Sequence, residues 1–196
     1  MTDRRLSRFA LGFRVKSGYA IAVAVAGPAA SPSPLARSVV ELSDPSVEAT
    51  RQPYHDGFGT AQEDQDEIAR LVKIIKRSAE RSVTGLLRDE RFAGRACCGA
   101  ALVVGSLIDP GTVGNPHIRA HANEGRLFRT VLADALGAHG IRPLVIVDKT
   151  LGVESVKALR LPDTRIARTA GEFGRTLGAP WRAEEKSAAT AAWMAL

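Results

Sequence analysis

Side chains able to do acid–base or metal chemistry recur at helical spacing in the segment that begins at Pro116. His117, His121 and Glu124 stand at i, i+4 and i+7, and that spacing puts all three on one helix face. Imidazole and carboxylate donors so placed suit a zinc-class ion or an acid–base pair. The commoner arrangement for so short a pattern is structural: His121 bonds a loop carbonyl and Glu124 pairs with Arg14 or Arg126. Two further acids stand near predicted element ends. Asp109 follows an apolar run, and Asp148 closes another. A strand-end acid is either a ligand or the cap of the next turn. There is no P-loop, GxGxxG or GxSxG pattern, which argues against nucleotide-dependent and serine-hydrolase chemistry.

A second pattern is basic. Arg70, Arg77, Arg81 and Arg88 fall in one sector of a helix, opposite its apolar stripe, at 100° per residue. The row suits phosphate contacts and suits a solvated face paired internally, for example Asp66 with Arg70. Residues 1–16 carry Arg4, Arg5, Arg8, Arg14 and Lys16 against Asp3 alone. Clustered cationic excess points to an anionic partner, nucleic acid above all, or else to solubility. The acids Glu63, Asp64, Asp66 and Glu67 sit where a helix begins. They complement its dipole there rather than forming a metal site.

The elements that position these residues come from one chain of 196 residues, 45% apolar, with 27 Lys and Arg against 21 Asp and Glu, a net charge of +6. This composition excludes a disordered acidic tail, a collagen-like chain and a disulfide scaffold. No apolar run is long enough to span a bilayer. Cys97 and Cys98 are adjacent, so on a strand they point to opposite faces and a bond between them is strained. Free buried thiols, and hence a cytoplasmic location, are expected. The basic N-terminus followed by AIAVAVAGPAA resembles an export signal, but its apolar segment is interrupted by Arg14 and Lys16.

Apolar alternation predicts strands over 8–15, 19–26 and 35–42, the first two joined by a tight Lys-Ser-Gly turn. Residues 43–59, which include Tyr54, His55 and Asp56, show no periodicity and read as a long surface loop. A helix is predicted from Ala61 through Leu86. A doubly buried strand follows over 96–108, then a helix over 116–139 with Asn115 as cap, and a strand over 142–149. Residues 150–165 read as a connection, and two further helices are expected over 165–178 and 180–196. Trp181 and Trp193 in the last of these read as packing anchors. The order β-β-β-α-β-α-β-α calls for an α/β domain with a mixed five-stranded sheet. One domain is expected over 1–196, with residues 1–7 as a flexible arm.

This order resembles the ribonuclease H-like fold. LGFRVKSGYAIAVAV (11–25) resembles the opening of RuvC-type Holliday-junction resolvases and their YqgF-type relatives. ALVVGSLIDPG (101–111) resembles that family's fourth strand, and EEKSAATAAWMAL (184–196) its final helix. The resemblance implies a nuclease using two divalent metals, Mg or Mn, held by carboxylates. Arg14 stands where the family's first acid would be, and neither Gly105 nor Ser106 supplies the fourth-strand acid. Glu184 and Glu185 remain on the final helix. The same topology implies a carboxyl-edge crevice gathering Arg14, Asp109, His117, His121, Glu124 and Asp148. Three functions follow as expectations. The leading one is a catalytically degenerate ribonuclease H-like protein that binds nucleic acid. The second is a metal-dependent nuclease with a rearranged site of Asp109, Glu124 and Glu185. The third is a non-enzymatic assembly protein that pairs through its sheet edge or its arginine helix.

Overall fold

A computed structural model describes residues 7–57 and 59–196. The arm expected over 1–7 therefore lies, Ser7 excepted, outside the described residues. The sheet has the order β3-β2-β1-β4-β5, built from β1 (Ser7–Lys16), β2 (Tyr19–Ala26), β3 (Ser33–Glu41), β4 (Arg95–Val104) and β5 (Leu144–Val147). The first three strands are antiparallel, while β1–β4 and β4–β5 are parallel. The hairpin between β1 and β2 turns on Ser17 and Gly18, and Gly18 takes φ +82°, which a side chain would resist.

Helix α1 (Gln65–Leu87) and helix α2 (Pro116–Gly137) cover one face of the sheet. Their apolar stripes meet Phe9, Leu11, Phe13 and Val15 of β1 and Leu102 of β4 in the main core. Asp64 caps α1 by accepting from the backbone N–H groups of Asp66 and Glu67. Asn115 caps α2 through the N–H of Ile118, with Pro116 in the first turn. The opposite face carries α3 (Leu151–Leu159), α4 (Asp163–Leu177) and α5 (Ala183–Met194). There Ala188, Ala189 and Ala192 of α5 pack on Val23 and Val25 of β2 with Phe173 of α4. Gly12 faces α5 so closely that a Cβ would overlap the Ala188 carbonyl oxygen and the Ala192 nitrogen. The alanine-rich sequence of α5 and the glycine of β1 together set this short helix-to-sheet distance.

Four local expectations change. The strand expected over 96–108 ends at Val104, since β1 pairs no farther than Arg14 with Val103 and leaves Leu107 and Ile108 exposed. Residues 151–159 form α3 instead of a connection; with only nine residues it is too short to show a helical period. Trp181 precedes α5, and its Nε1 donates to the Ala170 carbonyl, whereas Trp193 lies in α5 and donates to Ala29. The described part of 43–59 carries local structure that the absence of periodicity hid: Glu48–Arg51 form a 3-10 turn and the buried Thr50 hydroxyl bonds Asp44 and Val47. Both cysteines are free and partly buried, and burial pushes the Cys97 thiol pKa up. No described helix is long and apolar enough to cross a membrane.

Candidate functional site

The carboxyl edge of the parallel strands carries two clusters of charged and titratable side chains. The first lies at the ends of β1, β5 and α5. Arg14 Nη2 bonds Asp148 Oδ2 at 3.0 Å and Lys16 Nζ approaches Glu184 Oε1 at 3.5 Å. Arg37 of β3 reaches Glu185 Oε1 through Nη2 at 3.0 Å and Nε at 3.1 Å. Glu185 is 3% exposed, and its second oxygen accepts the Arg182 backbone N–H, closing a capping box at the start of α5. The Glu184 carboxyl is held below the usual range by its own backbone N–H at the helix start, then by Lys16. Each of these three carboxylates therefore has its own cation. Hard divalent ions need several free oxygen donors. Arg14 near the end of β1, next to acids already engaged by arginine and lysine, does not fit the metal pair that the ribonuclease H resemblance implies.

A crevice of about 500 Å³ opens beside this cluster. Arg14, Lys16, Tyr19, Gly105, Ser106 and His121 line it. Arg14 and His121 of the expected crevice therefore do share one cavity wall. Asp109 lies elsewhere: it caps the turn at Pro110–Thr112 and sits 3.8 Å from Arg126. Asp109, Glu124 and Glu185, expected together in a rearranged nuclease site, each face a different partner: Arg126, His55 and Arg37.

The second cluster lies on the α2 side. A small turn holds His55 in place: the Asp56 N–H bonds the Thr60 carbonyl, the Gln62 N–H bonds Tyr54, and His55 bridges Ala61. Gly57 and Gly59 supply the left-handed backbone that the turn needs. His55 Nδ1 then meets Glu124 Oε1 at 2.7 Å and His55 Nε2 meets His117 Nδ1 at 3.3 Å. His121 Nδ1 lies 3.6 Å from Glu124 Oε2. One ligating atom from each of His55, His117 and His121 lies within 4.8 Å of the others. Glu124 is fully buried, and its Oε2 has no hydrogen-bond partner among the described residues. The sequence pattern placed His117, His121 and Glu124 together. It missed His55, which faces Glu124 across 69 residues of chain. It also misassigned Glu124, whose partner is His55 and not Arg14 or Arg126.

The arginine row is exposed on α1, but it is unevenly engaged. Arg70 makes two 2.6 Å bonds to Glu67, in place of the expected Asp66. Arg81 lies 3.9 Å from Asp44.

No protein-family model and no curated protein sequence matches the chain. Solved structures do. A Thermus thermophilus RuvC structure aligns over 95% of this chain and 92% of its own, with a TM-score of 0.51 and 14% identity. T. thermophilus RuvC in complex with a Holliday junction substrate aligns over 95% and 91%, with a TM-score of 0.55 and 12% identity. At such identities the likeness speaks to the backbone. With its mixed five-stranded sheet and flanking helices, the chain has the ribonuclease H-like fold seen in RuvC.

Proposed function

We propose that the chain is a catalytically degenerate ribonuclease H-like protein that binds nucleic acid through its phosphates. The observation that carries this reading is the end of β1, where Arg14 and Lys16 line a crevice at the carboxyl edge of the sheet. Carboxyl-edge crevices are where open α/β sheets take ligands. Cations there favour phosphate oxygens and repel the divalent ions on which a carboxylate nuclease depends. Asp148 and Glu184, the present partners, have side chains 42% and 36% exposed. Arg14 is itself 13% exposed, so the Lys16–Glu184 pair, 35% and 36% exposed, is the one worth only about 0–1 kcal/mol and open to displacement by a phosphate. The solved RuvC–junction complex supports the choice of partner by analogy of fold alone.

The test is an anisotropy titration with duplex, single-stranded and branched DNA and RNA at low salt, with and without Mg²⁺ or Mn²⁺. Binding should weaken steeply with salt. If the four arginines of α1 also contact phosphates on duplex DNA, they contribute about −3.6 to the log–log slope. Arg14→Gln with Lys16→Gln should weaken binding at least tenfold. No binding at micromolar protein, or metal-dependent cleavage that Glu185→Ala abolishes, overturns the reading.

A reading as an assembly protein has one observation in its favour. Among the described residues, edge strand β5 pairs only with β4, and it leaves Leu144 56% and Val145 41% exposed, one on each face of the sheet. Exposed apolar edge strands invite pairing with another chain. A concentration-dependent molar mass in light scattering, lost in Val145→Lys, would select this reading instead.

A further inference from the structure

We propose that His55, His117 and His121 form a site for one zinc-class divalent ion, oriented from behind by the buried carboxylate of Glu124. Three of the chain's four histidines converge here from two separate elements, the turn at 54–62 and the first turns of α2. Their rings stand 4.5 to 5.2 Å apart between centroids, tilted or edge-on. Nitrogen donors at zinc lie about 2.0–2.1 Å from the metal, so neighbouring corners of a tetrahedral site are about 3.3–3.4 Å apart. His55 Nε2 and His117 Nδ1 are already 3.3 Å apart. The third nitrogen, within 4.8 Å of both, needs a displacement of the order of one ångström. The His121 side chain is half exposed, so it can turn to make it.

Glu124 supplies an independent argument. Ligating histidines commonly donate their other ring N–H to a carboxylate, which fixes the tautomer and raises the donor strength. The 2.7 Å contact engages His55 Nδ1 with Glu124, so Nε2 is the ring nitrogen left to face His117. Among the described residues, Glu124 Oε2 is buried with no donor of its own. A buried polar atom left without a partner is costly. A dication held by the three imidazoles would supply positive charge one ligand away. The donor set favours zinc-class ions over Mg²⁺ or Mn²⁺, because the three grouped donors are all imidazoles and imidazole suits borderline metals. Three protein ligands leave a fourth coordination position open. His117 is exposed and His121 also lines the Arg14–Lys16 crevice, so the open position is accessible from the anion-binding side.

The site is tested on the full chain, stripped with chelator and shown to be folded by circular dichroism. Zn²⁺ is titrated against a chromophoric chelator, and Co²⁺ is followed by its visible spectrum. One equivalent per chain is expected, with the strong cobalt absorption of a four-coordinate site. His117→Ala and His121→Ala, both at exposed positions, should each lower zinc affinity at least 100-fold. Glu124→Gln should lower it about 10–100-fold, the usual loss for an outer carboxylate. His139→Ala, the remaining histidine, should leave it unchanged. Failure of the folded wild-type chain to bind zinc or cobalt stoichiometrically overturns the proposal. So does affinity that survives in the His117→Ala, His121→Ala double variant. Neither readout depends on nucleic-acid binding.

Discussion

The two faces of the sheet are packed differently, and the clusters at their shared edge differ with them. Against α1 and α2 the sheet presents Phe9, Leu11, Phe13 and Leu102, and the layers are held apart by large side chains. Against α5 it presents Ala10 and Gly12 in the middle strand, and backbone lies nearly on backbone. Where the close face ends, each acid is matched by a base: Asp148 by Arg14, Glu184 by Lys16, Glu185 by Arg37. Where the wide face ends, one buried carboxylate bonds His55 through one oxygen, while the other lies 3.6 Å from His121 and has no hydrogen-bond partner among the described residues. The contrast separates two uses of polar residues at an α/β edge. One cluster is balanced acid by base, and the other sets three histidines beside a single buried carboxylate.

The largest effect should come from closing the short helix-to-sheet distance. Gly12→Val drives a side chain into the backbone of α5. Overpacking typically costs about 1–3 kcal/mol, and more where the obstacle is backbone, so this variant should yield no cooperative thermal transition. Gly85→Ala is the counterpart on the other side, in an open position of α1 with nothing within 4 Å of the added methyl. It should raise stability by about 0.5–1 kcal/mol. A cooperative, wild-type-like melt for Gly12→Val would remove the distinction between the faces.

Breaking the buried ion pair comes next. Arg37→Ala leaves Glu185, 3% exposed, with the Arg182 N–H as its remaining partner. The loss should be about 3 kcal/mol by urea denaturation, with a substantial part recovered in Arg37→Met combined with Glu185→Met. The smallest effect belongs to Arg70→Ala, which removes an exposed i,i+3 pair with Glu67. Stability should move by no more than about 0.5 kcal/mol. A larger loss would mean that the arginine row supports the fold instead of standing free for a ligand.

The close face was partly legible in the sequence and the histidine cluster only in half. Alternation in YAIAVAVA announces a strand and residues 180–196 read as a helix, though not their close approach, and Asn115-Pro116 marks the start of α2 from local chemistry alone. What could not be read were partnerships across the chain. Arg37 looks like any strand-surface cation until the sheet brings it under α5. His55 sits in a stretch without periodicity, and only the fold places it against Glu124. Local pattern carries a residue's face; it does not carry the residue that will meet that face from 69 or 148 positions away.

The approach of α5 to Gly12 also sets an order of events during synthesis. All five strands have been made once Val147 is complete, but the cover over Val23, Val25, Ala101 and Val103, begun by Leu151 and Phe173, stays incomplete until residues 183–194 arrive to seat on them. At about 5–20 residues per second on the ribosome, that apolar sheet face waits of the order of 2–10 s for its cover. Nascent chains arrested between Val147 and Ala183 should therefore be strong clients of chaperones that hold exposed apolar surface, and chains released after Met194 should escape them.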